Sequence, residues 1–285
     1  MRMCYLIQAH KYPEQVARLV KRIAHPSMDI YIHVDRKANE KTFREALKNE
    51  EVHFIRNRID VRWAGFSNAL ATVNGLREII STGTNYDYIH VISGQDYPIK
   101  SNEYIVNFFK EHAGKEFMMY KSIYDEWTEA LPKIEYYHFE DWKIKGKYRL
   151  SFFLKRILPK RKFPYGWKPY GYSRWFSITT NLAEYMLNFI DDHPQFVRFF
   201  KYTTCGDEIF FCTIAHYSPF AGKIVNDDLR YVDWSTKVAN PKAANPKILT
   251  REDFEKLKNS SKLWARKFDM NTDIEILNQV DEIIR

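Results

Sequence analysis

Tyr88-Ile-His-Val-Ile-Ser-Gly-Gln-Asp-Tyr-Pro-Ile-Lys-Ser-Asn102 is the stretch on which the reading of this chain turns. An apolar run breaks at Ser93-Gly94-Gln95-Asp96, passes through Tyr97-Pro98, and gives way to a helix capped near Ser101. An apolar run that ends so abruptly is a buried strand meeting a loop. In an open α/β sheet ligands bind at the carboxyl ends of strands, so Ser93, Gly94, Gln95 and Asp96 are candidate site residues. An ordinary strand-to-helix turn uses the same Gly, Asp and Pro. The flanking segments decide between the two.

Upstream, strands and helices alternate. Met3–Ala9, Met28–Val34, Val52–Ile55 and Tyr86–Ile92 read as strands. Between them Val16, Leu19, Val20 and Ile23, then Glu40–Leu47, then Phe66, Ala69, Leu70, Val73, Leu76, Ile79 and Ile80 read as helices. Tyr104, Ile105, Phe108 and Phe109 continue as a helix after Ser101. This order predicts an α/β fold with a Rossmann-like, mainly parallel central sheet and right-handed crossovers. Downstream, Glu116–Tyr120 and Trp175–Thr179 read as strands, and Asn181–Ile190 and Asp207–Ala215 as helices. The stretch from Lys121 to Tyr172 is polar, aromatic and basic. The tail from Asp253 reads as two helices separated by Lys267-Phe268-Asp269-Met270. No linker frees the halves, so 1–285 is read as a single domain. Residues 1–115 make up its first half and 116–285 its second, with 143–170 an inserted basic, aromatic segment.

With 285 residues, 45% of them hydrophobic, the chain has ample material for one large core. Its three cysteines, Cys4, Cys205 and Cys212, match neither metal-ligand spacing nor a disulfide framework, and a reducing compartment is the simplest expectation. The first apolar stretch is too short for a secretory signal and no later one is long enough to span a bilayer, so a cytoplasmic protein is expected. Ten cations lie between Lys143 and Lys168 with no acidic residue among them; setting them aside turns the net charge from +8 to −2. The basicity therefore belongs to one segment, and a general affinity for polyanions is not implied. Neither a dinucleotide fingerprint nor a P-loop is present.

Two constellations suggest chemistry. Asp207-Glu208 opens an apolar helix after Thr203-Thr204-Cys205-Gly206. The helix dipole favours acidic residues there, which by itself explains them, but it also keeps a carboxylate ionised as a general base. Trp264-Ala265-Arg266-Lys267-Phe268 sets two cations among apolar residues. They read either as surface charges on a helix end or as ligands for a phosphate. No two aspartates lie two apart anywhere, so the Asp-x-Asp motif that often holds a metal on a sugar diphosphate is missing. With such a substrate, protein cations would take the metal's place.

These segments, in series, carry a resemblance. His33-Val34-Asp35-Arg36-Lys37, Arg62-Trp63-Ala64-Gly65-Phe66-Ser67, Ile92-Ser93-Gly94-Gln95-Asp96-Tyr97-Pro98-Ile99, Ser173-Arg174-Trp175-Phe176, Gly206-Asp207-Glu208-Ile209-Phe210 and Ala265-Arg266-Lys267-Phe268-Asp269 occur in this order. The chain resembles the core-2/I-branching β-1,6-N-acetylglucosaminyltransferases and their relatives the peptide O-xylosyltransferases, glycosyltransferase family 14. Each motif is weak alone; six in order, spanning nearly the whole chain, are specific. The resemblance implies a GT-A fold and inverting transfer from a UDP-sugar without a metal or other cofactor. It implies 1–115 as a nucleotide-sugar-binding half, 116–285 as an acceptor-binding and catalytic half, and Glu208 as catalytic base. His33, Asp35, Arg36, Trp63, Ser93, Gly94, Gln95, Asp96, Arg266, Lys267 and Lys247 are implied on the donor side, and Asp96, Trp175, Asp207 and Trp234 on the acceptor side.

The chain also departs from the pattern. For the family's second diphosphate cation, an arginine, it offers Lys242, Lys247 or Arg251. Trp63-Ala64-Gly65 stands where Trp-Gly-Gly is usual. The disulfide cysteines and membrane anchor of the animal enzymes are missing, which fits a bacterial protein of surface-polysaccharide synthesis. N-acetylglucosamine is the first expectation for the sugar, with xylose, galactose and galactofuranose as alternatives, and the acceptor is a glycan or a lipid-linked oligosaccharide. Segment 143–168 interleaves cations with apolar residues, which suits either a solvated insertion or contact with an anionic membrane at its inner face. A reading of another class, a nucleic-acid-binding protein using this patch, lacks any accompanying recognition motif, so no nucleic-acid partner is expected.

Overall fold

The computed structural model describes residues 1–236 and 245–284. Seven strands form the central sheet: β1 (Met3–Ala9), β2 (Met28–Val34), β3 (His53–Phe54), β4 (Tyr88–Ser93), β6 (Glu116–Ser122), β7 (Tyr170–Ile178) and β8 (Ile224–Val225), in the order β3-β2-β1-β4-β7-β6-β8. Four of the six pairings are parallel, and β7 runs antiparallel to both its neighbours. Strands β1, β2 and β4 are near-continuous apolar runs because helices cover both faces of the sheet. Strands from both halves of the chain share this sheet, and the expected mainly parallel α/β architecture is present.

On one face, α1 (Pro13–Ile23) and α4 (Asn102–Glu111) pack with α10 (Phe254–Lys258) and α11 (Glu275–Ile283) through Val16, Leu19, Phe109, Leu257 and Ile276. On the other, α3 (Ser67–Ser81), α7 (Thr180–Asp192), α8 (Pro194–Phe200) and α9 (Asp207–His216) gather around Leu76, Phe176, Met186, Phe200 and Phe210. Burying each such side chain contributes about 1.5–3 kcal/mol. The expected cap of α4 is present, the Ser101 hydroxyl accepting from the Tyr104 N–H at 3.2 Å. The remaining short helices are α2 (Glu40–Ala46), α5 (Leu131–Glu135) and α6 (Lys147–Ile157).

Three readings need correction. The tail is not two helices with a simple break: Trp264–Arg266 is a strand, β10, between α10 and α11. The polar break after β4 contains a second short strand, β5 (Asp96–Pro98). Both pair with each other, and β10 pairs also with β9 (Arg230–Val232), giving a small sheet of order β5-β10-β9. Three-residue strands have no readable period; they exist because distant segments supply the ladder. Finally, β7 is Tyr170–Ile178 where Trp175–Thr179 was expected: it begins inside the polar, aromatic stretch that ends at Tyr172, where half-exposed polar residues hid it.

Candidate active site

The register of β1 puts Gln8 opposite His33 on one side and Ser93 on the other, so three strands end in one row. Just past that row the Asp35 N–H donates to Ala9 O and the Gly94 N–H to Gln8 O. This is the carboxyl edge of the parallel strands, where open sheets bind ligands. A Cβ on Gly94 would lie 2.8 Å from Val16, so the residue type is set by the close approach of α1. His33 is buried and its Nε2 accepts from the Ile59 N–H; burial lowers its pKa to about 4, so it stays neutral. Asp35 is buried too, and accepts from the Lys37 backbone N–H and pairs with the Lys37 ammonium at 3.4 Å.

Over this edge lies the small sheet. Arg266 on β10 sits opposite Asp96 on β5 and Val232 on β9. Asp96 is fully buried: it accepts from the Ser93 N–H and hydroxyl, both at 3.0 Å, and pairs with Arg230 at 3.3 Å and Arg266 at 3.6 Å. The Trp175 indole lies among the guanidinium groups of Arg174, Arg266 and Arg230, at 4.4, 4.7 and 5.8 Å from the ring centre. Burial lowers the pKa of Arg266, and its Nη1 is a buried donor with no hydrogen-bond acceptor among the described residues. The next residue, Lys267, is half-buried, and burial together with Lys11 and Arg266 lowers its pKa. Among the described residues neither Lys11 nor Lys267 has an ion-pair partner; Lys11 meets the Tyr12 hydroxyl and Lys267 the Asn245 amide. A ligand that satisfied this end of the edge would be anionic. Gln95 fastens β10 in place, its carbonyl accepting from the Phe268 N–H and its amide donating to Phe268 O.

The carboxylates enter from α9. A Cβ on Gly171 would lie 2.4 Å from Glu208 O and 2.7 Å from Ile209 Cα, so β7 runs directly against the start of that helix. Asp207 pairs with Arg174 at 3.2 Å, and Arg174 also donates to Asn68 and Gln8, which ties α9 to the end of β1. Glu208 accepts a 2.6 Å hydrogen bond from Lys133 on α5. Burial raises the pKa of both Asp207 and Glu208; Arg174 opposes this for Asp207, and Lys133 does so for Glu208. A path of contacts thus runs from Glu208 through Asp207, Arg174, Trp175 and Arg266 to Lys267.

Other expected residues lie apart from this path. Arg36 is exposed, its backbone N–H bonded to Ile59 O, and Trp63 is 69% exposed. Trp234, past the end of β9, is also exposed. Lys247 holds the buried carboxylate of Asp253 at 2.7 and 2.8 Å, Arg251 holds Asp273, and Lys242 lies outside the described residues. Ala64 has φ 59°, in the left-handed region that glycine occupies without cost, at the position where Trp-Gly-Gly is usual. A cavity of about 310 Å³ between Arg36, Arg62, Trp142, Lys143 and Tyr202 touches only one of the candidates, Arg36.

Lys133 and Lys11 were missed by the sequence reading, and Arg174 stood in a quoted motif with no role. Lys11 was findable, because it directly follows the carboxyl end of β1. Lys133 had no signal, since its partner lies 75 residues away.

Cations and a helix-borne carboxylate thus lie along the carboxyl edge of the parallel strands, the place where open α/β sheets carry their sites. The family is then fixed by comparison: the model of the Core-2/I-Branching enzyme matches residues 3–258, and the chain belongs to that family of glycosyltransferases. Xylosyltransferase 2 of Mus musculus is 26% identical over 300 residues, covering 99% of this chain and 33% of that protein. Xylosyltransferase 1 of Rattus norvegicus is 22% identical over 315 residues, covering 100% and 35%. The chain thus spans about a third of the length of these relatives. Among solved structures, mouse xyloside xylosyltransferase 1 in its apo form overlaps at a TM-score of 0.44 and 10% identity, covering 95% of this chain and 98% of that one.

Proposed function

We propose that the chain transfers a sugar from a UDP-sugar to a hydroxyl of a glycan acceptor by a single inverting displacement that needs no divalent metal. The observation that carries this reading is the pairing of two features: Lys11, Arg266 and Lys267 at the strand edge without carboxylates enough to neutralise them, and Glu208 at the start of α9 on the same path of contacts. Glu208 takes the proton of the acceptor hydroxyl as its oxygen attacks the anomeric carbon. The bond from that carbon to the diphosphate oxygen breaks, and UDP leaves with the electron pair, its charge met by Lys267 and Arg266. One displacement with one base inverts the anomeric centre. Lys133 keeps Glu208 ionised until the proton arrives. The buried Asp96 positions Arg266 and Arg230, and the buried Trp175 backs the guanidinium groups of Arg174 and Arg266.

The resemblance to β-1,6-N-acetylglucosaminyltransferases favours N-acetylglucosamine as the transferred sugar, whereas the matched relatives are named xylosyltransferases and favour xylose. Thermal stabilisation by a panel of UDP-sugars separates the two. The decisive experiment is Glu208→Gln: transfer is abolished while calorimetric UDP binding survives, and strong residual transfer removes Glu208 as the base. Transfer by the unaltered protein persists in excess EDTA; a strict requirement for Mn²⁺ overturns the metal-free mechanism.

A further inference from the structure

None of the eleven residues of α6 is buried. Its outward residues Tyr148, Arg149, Phe152, Phe153, Arg156 and Ile157 follow the spacing i, i+1, i+4, i+5, i+8, i+9, which is one helical face. Tyr148 is 64% exposed, Phe152 58%, Phe153 57% and Ile157 57%. The half-covered Leu150, Ser151 and Leu154 turn the other way. A surface helix of a water-soluble domain has the opposite arrangement, polar side out. The inner face is thus held to the rest of the chain, while the outer apolar face is left to solvent and is open to a partner of matching chemistry.

The charges say which partner. Lys143, Lys147, Lys160 and Lys168 are tied back to Asp60, Glu140, Glu135 and Asp125. Lys145, Arg149, Lys155, Arg156 and Lys162 have no acidic partner among the described residues, and the segment contains no acid of its own. An apolar face bordered by unpaired cations matches the headgroup layer of an anionic bilayer, which takes both at once. Nucleic acid would use the cations, but not the aliphatic Ile157 and Leu158, which do not stack on bases.

We propose that α6 is an interfacial anchor that docks the enzyme on an anionic membrane. Lys160 pairs with Glu135 at 2.7 Å and the Lys155 ammonium lies 4.4 Å from the centre of the Tyr136 ring. The anchor therefore grips the end of α5, the helix whose Lys133 holds Glu208. Docking sets the candidate base beside the membrane, the placement that an acceptor carried on a lipid requires; this last step rests on the transferase reading, whereas docking does not.

The test is flotation of the full chain with vesicles of phosphatidylcholine alone and of equal parts phosphatidylcholine and phosphatidylglycerol. Binding is expected to the anionic vesicles only. R149Q/R156Q weakens it about twenty- to thirtyfold, from about fivefold per cation near a charged headgroup layer. F152S/F153S weakens it by at least about tenfold. UDP-induced thermal stabilisation stays unchanged in both variants, which shows that they fold and keep the donor site. Equal flotation with both vesicles overturns the proposal, as does undiminished binding by the variants. So does an F152S/F153S protein that differs only in oligomeric state by light scattering, or RNA binding without vesicle binding. Loss of UDP stabilisation in the unaltered protein defeats the transferase reading and leaves the docking result standing.

Discussion

Lys133→Met keeps most of the length of the side chain and removes its charge. In the structure the Lys133 ammonium lies 2.6 Å from Glu208 Oε2, with the two side chains 23% and 30% exposed. A hydrogen bond between charged groups contributes about 1.5–3 kcal/mol, and partial access of water places this pair at the lower end. About 1.5 kcal/mol is roughly a tenfold change in an equilibrium constant. Removing the ammonium favours the protonated form of Glu208, whose pKa burial already raises. The sign follows from the chemistry: the base must be ionised, so the rate rises with pH through this titration. On the acid limb kcat/KM of the variant falls about tenfold below the unaltered enzyme, and above the limb the ratio returns toward one. The assay is UDP release during transfer, followed across pH. A ratio that does not change with pH refutes the reasoning, since Lys133 would then act on something other than the ionisation of Glu208. A weakened UDP affinity would place Lys133 on the donor instead.

Lys267→Ala raises the calorimetric Kd for UDP by about tenfold or more, the contribution of one charge-assisted hydrogen bond to phosphate; an unchanged Kd removes Lys267 from the diphosphate site. Arg230→Met leaves the fully buried Asp96 short of its nearest guanidinium and destabilises the protein by about 3–5 kcal/mol in urea unfolding, whereas a loss below about 1 kcal/mol would show that Arg266 and Ser93 suffice. Gly171→Ala drives a Cβ into the backbone of Glu208 and Ile209, costs about 1–3 kcal/mol in thermal stability and lowers kcat by moving the base; a variant with unaltered Tm and kcat would show that the start of α9 yields freely.

How much was legible depended on what each residue's neighbours were. Strands β1 and β2 were read to the residue because both faces are buried, which makes the apolar run and the strand the same thing. The break at Ser93–Asp96 was legible as a strand end, and its position at the carboxyl edge was correctly expected. Its internal roles were not: Asp96 is a buried counter-ion for Arg230 and Arg266, which lie far along the chain, and no local pattern reveals that. The apolar neighbours of Arg266 suggested a helix end, and Trp264 and Ala265 are instead buried residues of a strand whose two partners lie elsewhere. The motif Asp207-Glu208 was visible from the helix-start signal, but the ammonium that pairs with Glu208 belongs to α5 and could only come from the folded chain. The segment around α6 was legible in charge and composition, while its outward apolar face needed the helix to be seen.

Strand β10 has a consequence for how the molecule comes into being. The middle strand of the small sheet is the last of its three to be synthesised, and it pairs with residues made far earlier, Trp264 with Pro98 and with Arg230. While the chain is still growing, β5 and β9 have nothing to join them, and Asp96 waits without Arg266. A nascent chain can therefore assemble its large sheet while the small one still lacks its centre. The small sheet closes as one late event, when the strand that carries Arg266 leaves the ribosome and threads between two strands already in place.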